Sequence, residues 1–86
     1  FGPTILSEEL DVRGMSVTDA LTITEDFLDK AFRDGLTSVR IIHGKGTGAL
    51  RESIRTLFEH HPLIDHFAPE MIDKGGEGVT VVELNA

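Results

Sequence analysis

The chain reads as an α/β domain, a two-layer sandwich with element order β-α-β-α-β-β and a four-stranded mixed sheet carrying two helices. Three observations predict it. Apolar residues recur at helical spacing through Val17, Ala20, Leu21, Thr24, Phe27, Leu28, Ala31 and Phe32, which marks one inward-facing helical face. Short β-branched runs, Val39-Arg40-Ile41-Ile42 and Val79-Thr80-Val81-Val82-Glu83-Leu84, read as strands. Between the first of these and a second helical stretch lies His43-Gly44-Lys45-Gly46-Thr47-Gly48, a glycine-rich strand-to-helix turn. Two helices cannot cover both faces of four strands, so one face of the sheet stays open.

In chain order, residues 1–8 read as a linker or frayed end. Glu9 to Arg13 alternate in the period of a half-buried strand, with Leu10 and Val12 inward and Asp11 and Arg13 on the opposite side. Ser16-Val17-Thr18-Asp19 fits a capping box, with Ser16 as N-cap and Asp19 reaching back. Asp34-Gly35 supplies the stop. A strand to Ile42 follows, then the glycine loop and a helix from Ala49 to Phe58. His60-His61-Pro62 ends that helix. Leu63 to Ala68 is a short strand, Pro69 to Gly78 a loop with Gly75-Gly76-Glu77-Gly78 its most mobile part, and Val79 to Leu84 the last strand. The first βαβ unit is expected to be parallel.

At 86 residues with 40% hydrophobic content, the chain supports one small domain and one modest core. It has no cysteine, hence no disulfide and no thiolate metal site. No apolar run nears the roughly 20 residues a membrane span needs, and no secretory signal is visible, so a cytoplasmic setting without a membrane partner is expected. The chain begins with Phe1 rather than methionine, as a piece of a longer protein or a processed product would. The net charge of -7 is uneven. Residues 1–35 carry -5, residues 36–56 carry +3 through Arg40, Lys45, Arg51 and Arg55 against Glu52, and residues 57–86 carry -5. The basic surplus centres on the glycine loop, where main-chain amides and a helix N-terminus favour an anion.

Three stretches carry a resemblance. Leu10-Asp11-Val12-Arg13-Gly14, His43-Gly44-Lys45-Gly46-Thr47-Gly48-Ala49-Leu50-Arg51 and Gly75-Gly76-Glu77-Gly78-Val79-Thr80-Val81-Val82-Glu83-Leu84 resemble the motifs of the Smr (small MutS-related) domain, in order and over nearly the whole chain. The likeness is closest to the C-terminal Smr domain of bacterial MutS-like proteins outside ordinary mismatch repair. It makes residues 9–86 one such domain. Val12 stands where that family usually has leucine, an inward position that tolerates the exchange. The resemblance implies a fold like the C-terminal domain of the third bacterial translation initiation factor. It also implies nucleic-acid binding and, in several members, nicking of DNA or cleavage of RNA. A larger MutS-like chain acting on branched or recombining DNA is the implied setting. Docking on structured RNA or rRNA is the alternative.

Phosphodiester hydrolysis needs an aligned water, charge stabilisation on the phosphoryl oxygens and a proton for the leaving oxygen. Asp11, Arg13, His43 and Lys45 are the candidate catalytic residues. Arg13 can clamp a phosphate through paired hydrogen bonds. Lys45 and the amides of Gly44, Gly46, Thr47 and Gly48 can hold phosphoryl oxygens. His43 can move a proton near neutral pH. Asp11 can orient water, orient Arg13 or hold a divalent ion such as Mg or Mn. Arg51 and Arg55, one helical turn apart, extend the nucleic-acid-binding set. Plainer readings stand beside each: a surface Asp11–Arg13 ion pair, a His43 that only bonds the loop backbone, glycines serving the turn alone, and solvated charges at Lys45, Arg51 and Arg55. His60, His61 and His66 read as structural, and Glu77 and Glu83 as solvated carboxylates.

Gly44 to Ala49 satisfies a loose dinucleotide pattern, but the chain is too short for two mononucleotide-binding halves. The loop lacks the Walker A frame. Phenylalanine, five copies, is the only aromatic residue, so backbone contact is favoured over stacking on aromatic rings.

Overall fold

The computed structural model describes residues 7–85. Strand β1 (Ser7–Asp11), helix α1 (Val17–Arg33), β2 (Ser38–Ile42), helix α2 (Ala49–Glu59), β3 (Ile64–Pro69) and β4 (Val79–Leu84) follow in that order, with two 3₁₀ turns at Ile72–Lys74 and Gly76–Gly78. The expected two-layer α/β sandwich is therefore present. The sheet order is β1-β2-β4-β3. The β1–β2 pair is parallel, and β4 runs antiparallel to both of its neighbours.

The core lies between the sheet and the helices. Ala20, Thr24, Leu28 and Ala31 face it from α1, and Ile54 and Phe58 from α2. Val39 and Ile41 of β2 and Val82 and Leu84 of β4 meet them, with Val12 beside β1. Phe58 also meets Phe67 edge-to-face, ring centres 5.5 Å apart. The opposite sheet face carries Glu9, Arg40, Val81 and Glu83, which alternate with the inward residues.

The helix ends follow local chemistry. The Ser16 hydroxyl accepts the Asp19 N–H at 3.2 Å, which satisfies one first-turn donor. The reciprocal bond from Asp19 is not formed among the described residues, so the capping box is half built. At the other end Leu36 N–H reaches Ala31 O at 3.0 Å with Gly35 at φ 79°, a Schellman stop.

Several expectations need correction. The first strand begins at Ser7 and ends at Asp11, so Ser7 and Glu8 belong to the sheet rather than to a linker; residues 1–6 lie outside the described residues. Val17 and Phe32 close the helical stripe in sequence but lie at the two ends of α1 and are each 37% exposed. Gly75 to Gly78 is not a loose loop: Gly78 is buried and its carbonyl accepts two amides. Arg40 does not join the basic loop. It lies on the open sheet face, donates to Glu9 and Glu70, and binds Lys74 O at 2.8 Å. Met71 and Ile72, 64% and 96% exposed, project from the β3–β4 connection. Among the described residues, no helix is long and apolar enough to cross a membrane.

Candidate functional site

Register places the site. Asp11 pairs with Ile42 and Ile42 with Val79. The chain therefore leaves β1 and β2, and enters β4, at one edge of the sheet. The β1–α1 connection, the glycine loop and the β3–β4 connection all emerge there, as ligand loops do in open α/β sheets. His43 and Gly44 amides donate to Gly78 O at 3.1 and 2.9 Å and fasten the loop to β4.

The loop itself turns through left-handed glycines. Gly44 has φ 76° and Gly48 φ 87°, conformations that a Cβ resists. Their missing side chains also make room for two cations. A Cβ at Gly44 would stand 3.3 Å from Arg13 Cγ, and one at Gly48 would stand 3.2 Å from Arg51 Nη2. Arg13 thus lies across the start of the loop and Arg51 folds back over its end, with exposed Lys45 between them. Arg51 Nε is buried without a hydrogen-bond partner among the described residues.

Not every loop amide is available. Those of His43, Gly44 and Gly48 have internal carbonyl partners, and Ala49 N–H is held by Thr47 Oγ1 at 3.3 Å. The amides of Lys45, Gly46 and Thr47 form no hydrogen bond among the described residues. Leu50 and Arg51 are first-turn positions of α2, whose N–H groups have no intrahelical acceptor. Arg13, Lys45, Thr47 and Arg51 line one cleft with a volume of about 550 Å³.

Asp11 and Arg13 sit together and bind each other. Arg13 Nε donates to Asp11 Oδ1 at 3.0 Å and Nη2 to Oδ2 at 2.6 Å. These bonds hold the Asp11 carboxyl down at about 2 and raise the Arg13 guanidinium further. His43 is placed otherwise than an accessible proton carrier would be. It is 4% exposed, with Nδ1 2.9 Å from Gly44 O and Nε2 2.8 Å from Thr80 Oγ1. Burial above all lowers its pKa, and Arg55 and Arg51 add to this. Arg55 is held by Glu77 at 3.0 Å and stands apart from the cleft lining. Glu77 is therefore an ion-pair partner rather than a simply solvated carboxylate.

Thr80 is the residue sequence reasoning missed. Its signal is a single hydroxyl at an inward position of a β-branched strand, beside the strand that ends at Ile42 just before His43. Met15, Val17 and Leu50 also line the cleft; of the three, sequence periodicity places only Val17, and it places it in the core. Among the described residues no group of three or more His, Cys, Asp or Glu side chains is placed to hold a metal ion. A divalent ion at Asp11 would draw its other ligands from water and substrate oxygens.

A family model described as Smr domain matches residues 10–85. The chain is similar to a protein named endonuclease MutS2 from Caldicellulosiruptor saccharolyticus, 47% identical over 75 residues, which covers 87% of this chain and 10% of that relative. A protein of the same name from Clostridium tetani is 44% identical over 79 residues, 92% of this chain and 10% of the relative. The chain thus spans about 10% of the length of these curated relatives. Among solved structures, the Smr domain of Thermus thermophilus MutS2 superposes with a TM-score of 0.91 at 42% identity, covering 92% of this chain and 99% of that one. YdaL, a stand-alone small MutS-related protein from Escherichia coli, shares the fold with a TM-score of 0.85 at 24% identity, over 98% of this chain and 67% of that one.

Proposed function

Because the chain belongs to the Smr domain family, we propose that its glycine-loop cleft binds a nucleic-acid phosphodiester and hydrolyses it, as the nicking endonuclease module of a larger MutS-like protein acting on branched or recombining DNA. One observation carries this reading: Arg13 over Gly44 and Arg51 over Gly48 bracket a loop that offers Lys45 and three amides without described partners. Such a group of cationic and amide donors suits the charged non-bridging oxygens of a phosphodiester.

Roles follow from position. Lys45 and the Lys45, Gly46 and Thr47 amides hold the non-bridging oxygens. Arg13 exchanges part of its grip on Asp11 for a phosphate oxygen. Asp11, ionised at any physiological pH, then orients the attacking water. His43 acts as a positioning residue that holds the loop on β4 rather than as a proton carrier, because both ring nitrogens already have partners. Arg55 contributes to the field near the site, muted by Glu77.

A second reading is a docking module for structured RNA, with no chemistry. The internal engagement of both Asp11 and His43 favours it, since no general base in the cleft is free of a protein partner. Supercoiled plasmid separates the two. The domain is incubated with and without chelator, beside Asp11→Ala and Lys45→Ala. Nicking that both substitutions abolish supports the enzyme, and the chelator arm reports any need for Mg or Mn. Binding without nicking supports docking. Equal nicking by all three proteins removes the hydrolytic reading.

A further inference from the structure

We propose that the cleft accepts one unstacked nucleotide, its phosphate on the glycine loop and its base against Met15, Val17 and Leu50. The inference rests on the phosphate reading above and adds a recess that holds the base.

The lining is chemically mixed. The same cleft is lined by the cations Arg13, Lys45 and Arg51 and by the apolar Met15, Val17 and Leu50. Met15 and Leu50 pack against the core yet stay partly open. Val17 is 37% exposed, although the period of α1 would turn it inward. An apolar wall left open beside a phosphate-holding loop has the chemistry of a nucleotide: charge at one end, a flat and largely apolar ring at the other. A volume of about 550 Å³ lies within the roughly 300–1,000 Å³ of small-ligand sites.

A stacked base faces its neighbours and its complement, so it reaches a recess beside its own phosphate only by leaving the stack. Unstacking is least costly at gaps, bulges and branch points. Base identity matters little here. The Ser16 hydroxyl already caps α1 and the Thr47 hydroxyl already holds Ala49. No Phe, Tyr or Trp is in the described lining, and the His43 ring there is only 4% exposed, so aliphatic contact and the plane of a guanidinium hold the base.

The test compares two labelled strands of about eight nucleotides by fluorescence anisotropy: oligothymidylate, and a strand of equal length made of abasic residues, which keeps every phosphate. Oligothymidylate is expected to bind about five-fold tighter or more, the low end of what base contacts contribute. Val17→Ser, at an exposed position that tolerates the change, narrows the gap without altering affinity for the abasic strand. Leu50→Ala does the same, with thermal melting as the check that it folds. Lys45→Ala weakens both strands together. Equal affinities for the two strands, or a gap that neither apolar substitution narrows, overturns the base site and leaves phosphate binding standing. Failure of both strands to bind removes the phosphate reading itself.

Discussion

The Thr80 hydroxyl and the His43 ring form a buried pair, Oγ1 to Nε2 2.8 Å, that joins the glycine loop to β4. Gly44 O, 2.9 Å from Nδ1, can only accept. The proton therefore sits on Nδ1, and Thr80 donates to Nε2. One neutral tautomer satisfies every partner, and the hydrogen-bond network assigns it. Both nitrogens of the ring expected to move protons in this loop are thus engaged within the fold, and through Thr80 the ring ties the loop to β4.

Thr80→Val removes the donor while keeping the shape. It leaves a buried ring nitrogen unpaired, which costs roughly 1–3 kcal/mol. Thr80→Ser keeps the hydroxyl and loses much less. Urea unfolding of the three proteins measures both. A Thr80→Val protein as stable as the parent would show that the pair contributes nothing net.

The same ring sets a pH dependence. Burial lowers the His43 pKa in the folded state. Below the ordinary histidine value the unfolded chain takes up a proton that the folded chain refuses, so stability falls as pH drops from about 7.5 to about 5.5. His43→Gln flattens that limb. A second, acid limb comes from Asp11, held at about 2 by Arg13, and Glu70, lowered by the Met71 amide and Arg40. Their contribution is present above the ordinary carboxylate range and is lost below it. It is small, because Asp11 and its partner are exposed. Thermal melts across the pH range resolve the two limbs.

Much of this was legible in sequence, and the gaps have a common cause. The helix caps at Ser16 and Gly35, the glycine turn and β4 are local patterns, and local chemistry determined them. The insertion of β4 between β2 and β3 leaves no local trace. Neither does the partnering of cations: Arg40 with Glu9 and Glu70, and Arg55 with Glu77, join residues 22 to 31 positions apart. Composition therefore overstated the basic field, since two of the four cations counted around the loop are matched by distant carboxylates. Arg13 and Lys45 sharing a cleft, by contrast, followed from the parallel first pair of strands.

Two glycine substitutions separate backbone strain from cation placement. Gly44→Ala and Gly46→Ala both put a Cβ on a positive φ, at 76° and 36°, and each costs about 1–2 kcal/mol. Only the Cβ at residue 44 also meets Arg13, at 3.3 Å, whereas residue 46 has open space. Gly44→Ala is expected to weaken nucleic-acid binding well beyond Gly46→Ala at equal stability loss. Matched denaturation and anisotropy measurements check the contrast. Equal binding by the two variants would detach Arg13 from the ligand.

Exposure, not hydrophobicity, decides the effect at two large apolar residues. Phe58 is 2% exposed and touches Phe67 across the core, so Phe58→Ala costs about 3–5 kcal/mol. Ile72 is 96% exposed on its turn, and Ile72→Ser changes stability by about 0.5 kcal/mol or less. Urea midpoints give both.

Glu77 restrains the electrostatic reach of the site. It holds Arg55 at 3.0 Å, and Arg55 lies one helical turn beyond Arg51. A nucleic-acid strand leaving the cleft along α2 would meet a neutralised pair where a free cation could stand. Glu77→Gln removes one negative charge and releases the guanidinium. Stability changes little, because the carboxylate is 57% exposed and such pairs contribute about 0–1 kcal/mol. Binding is the sensitive readout. Each added phosphate contact steepens the dependence of log affinity on log salt by about 0.7 for a single strand. The variant is therefore expected to bind more tightly at low salt, with a slope steeper by up to that amount. An unchanged slope and affinity would end the footprint at Arg51 and leave Arg55 as an element of the fold alone.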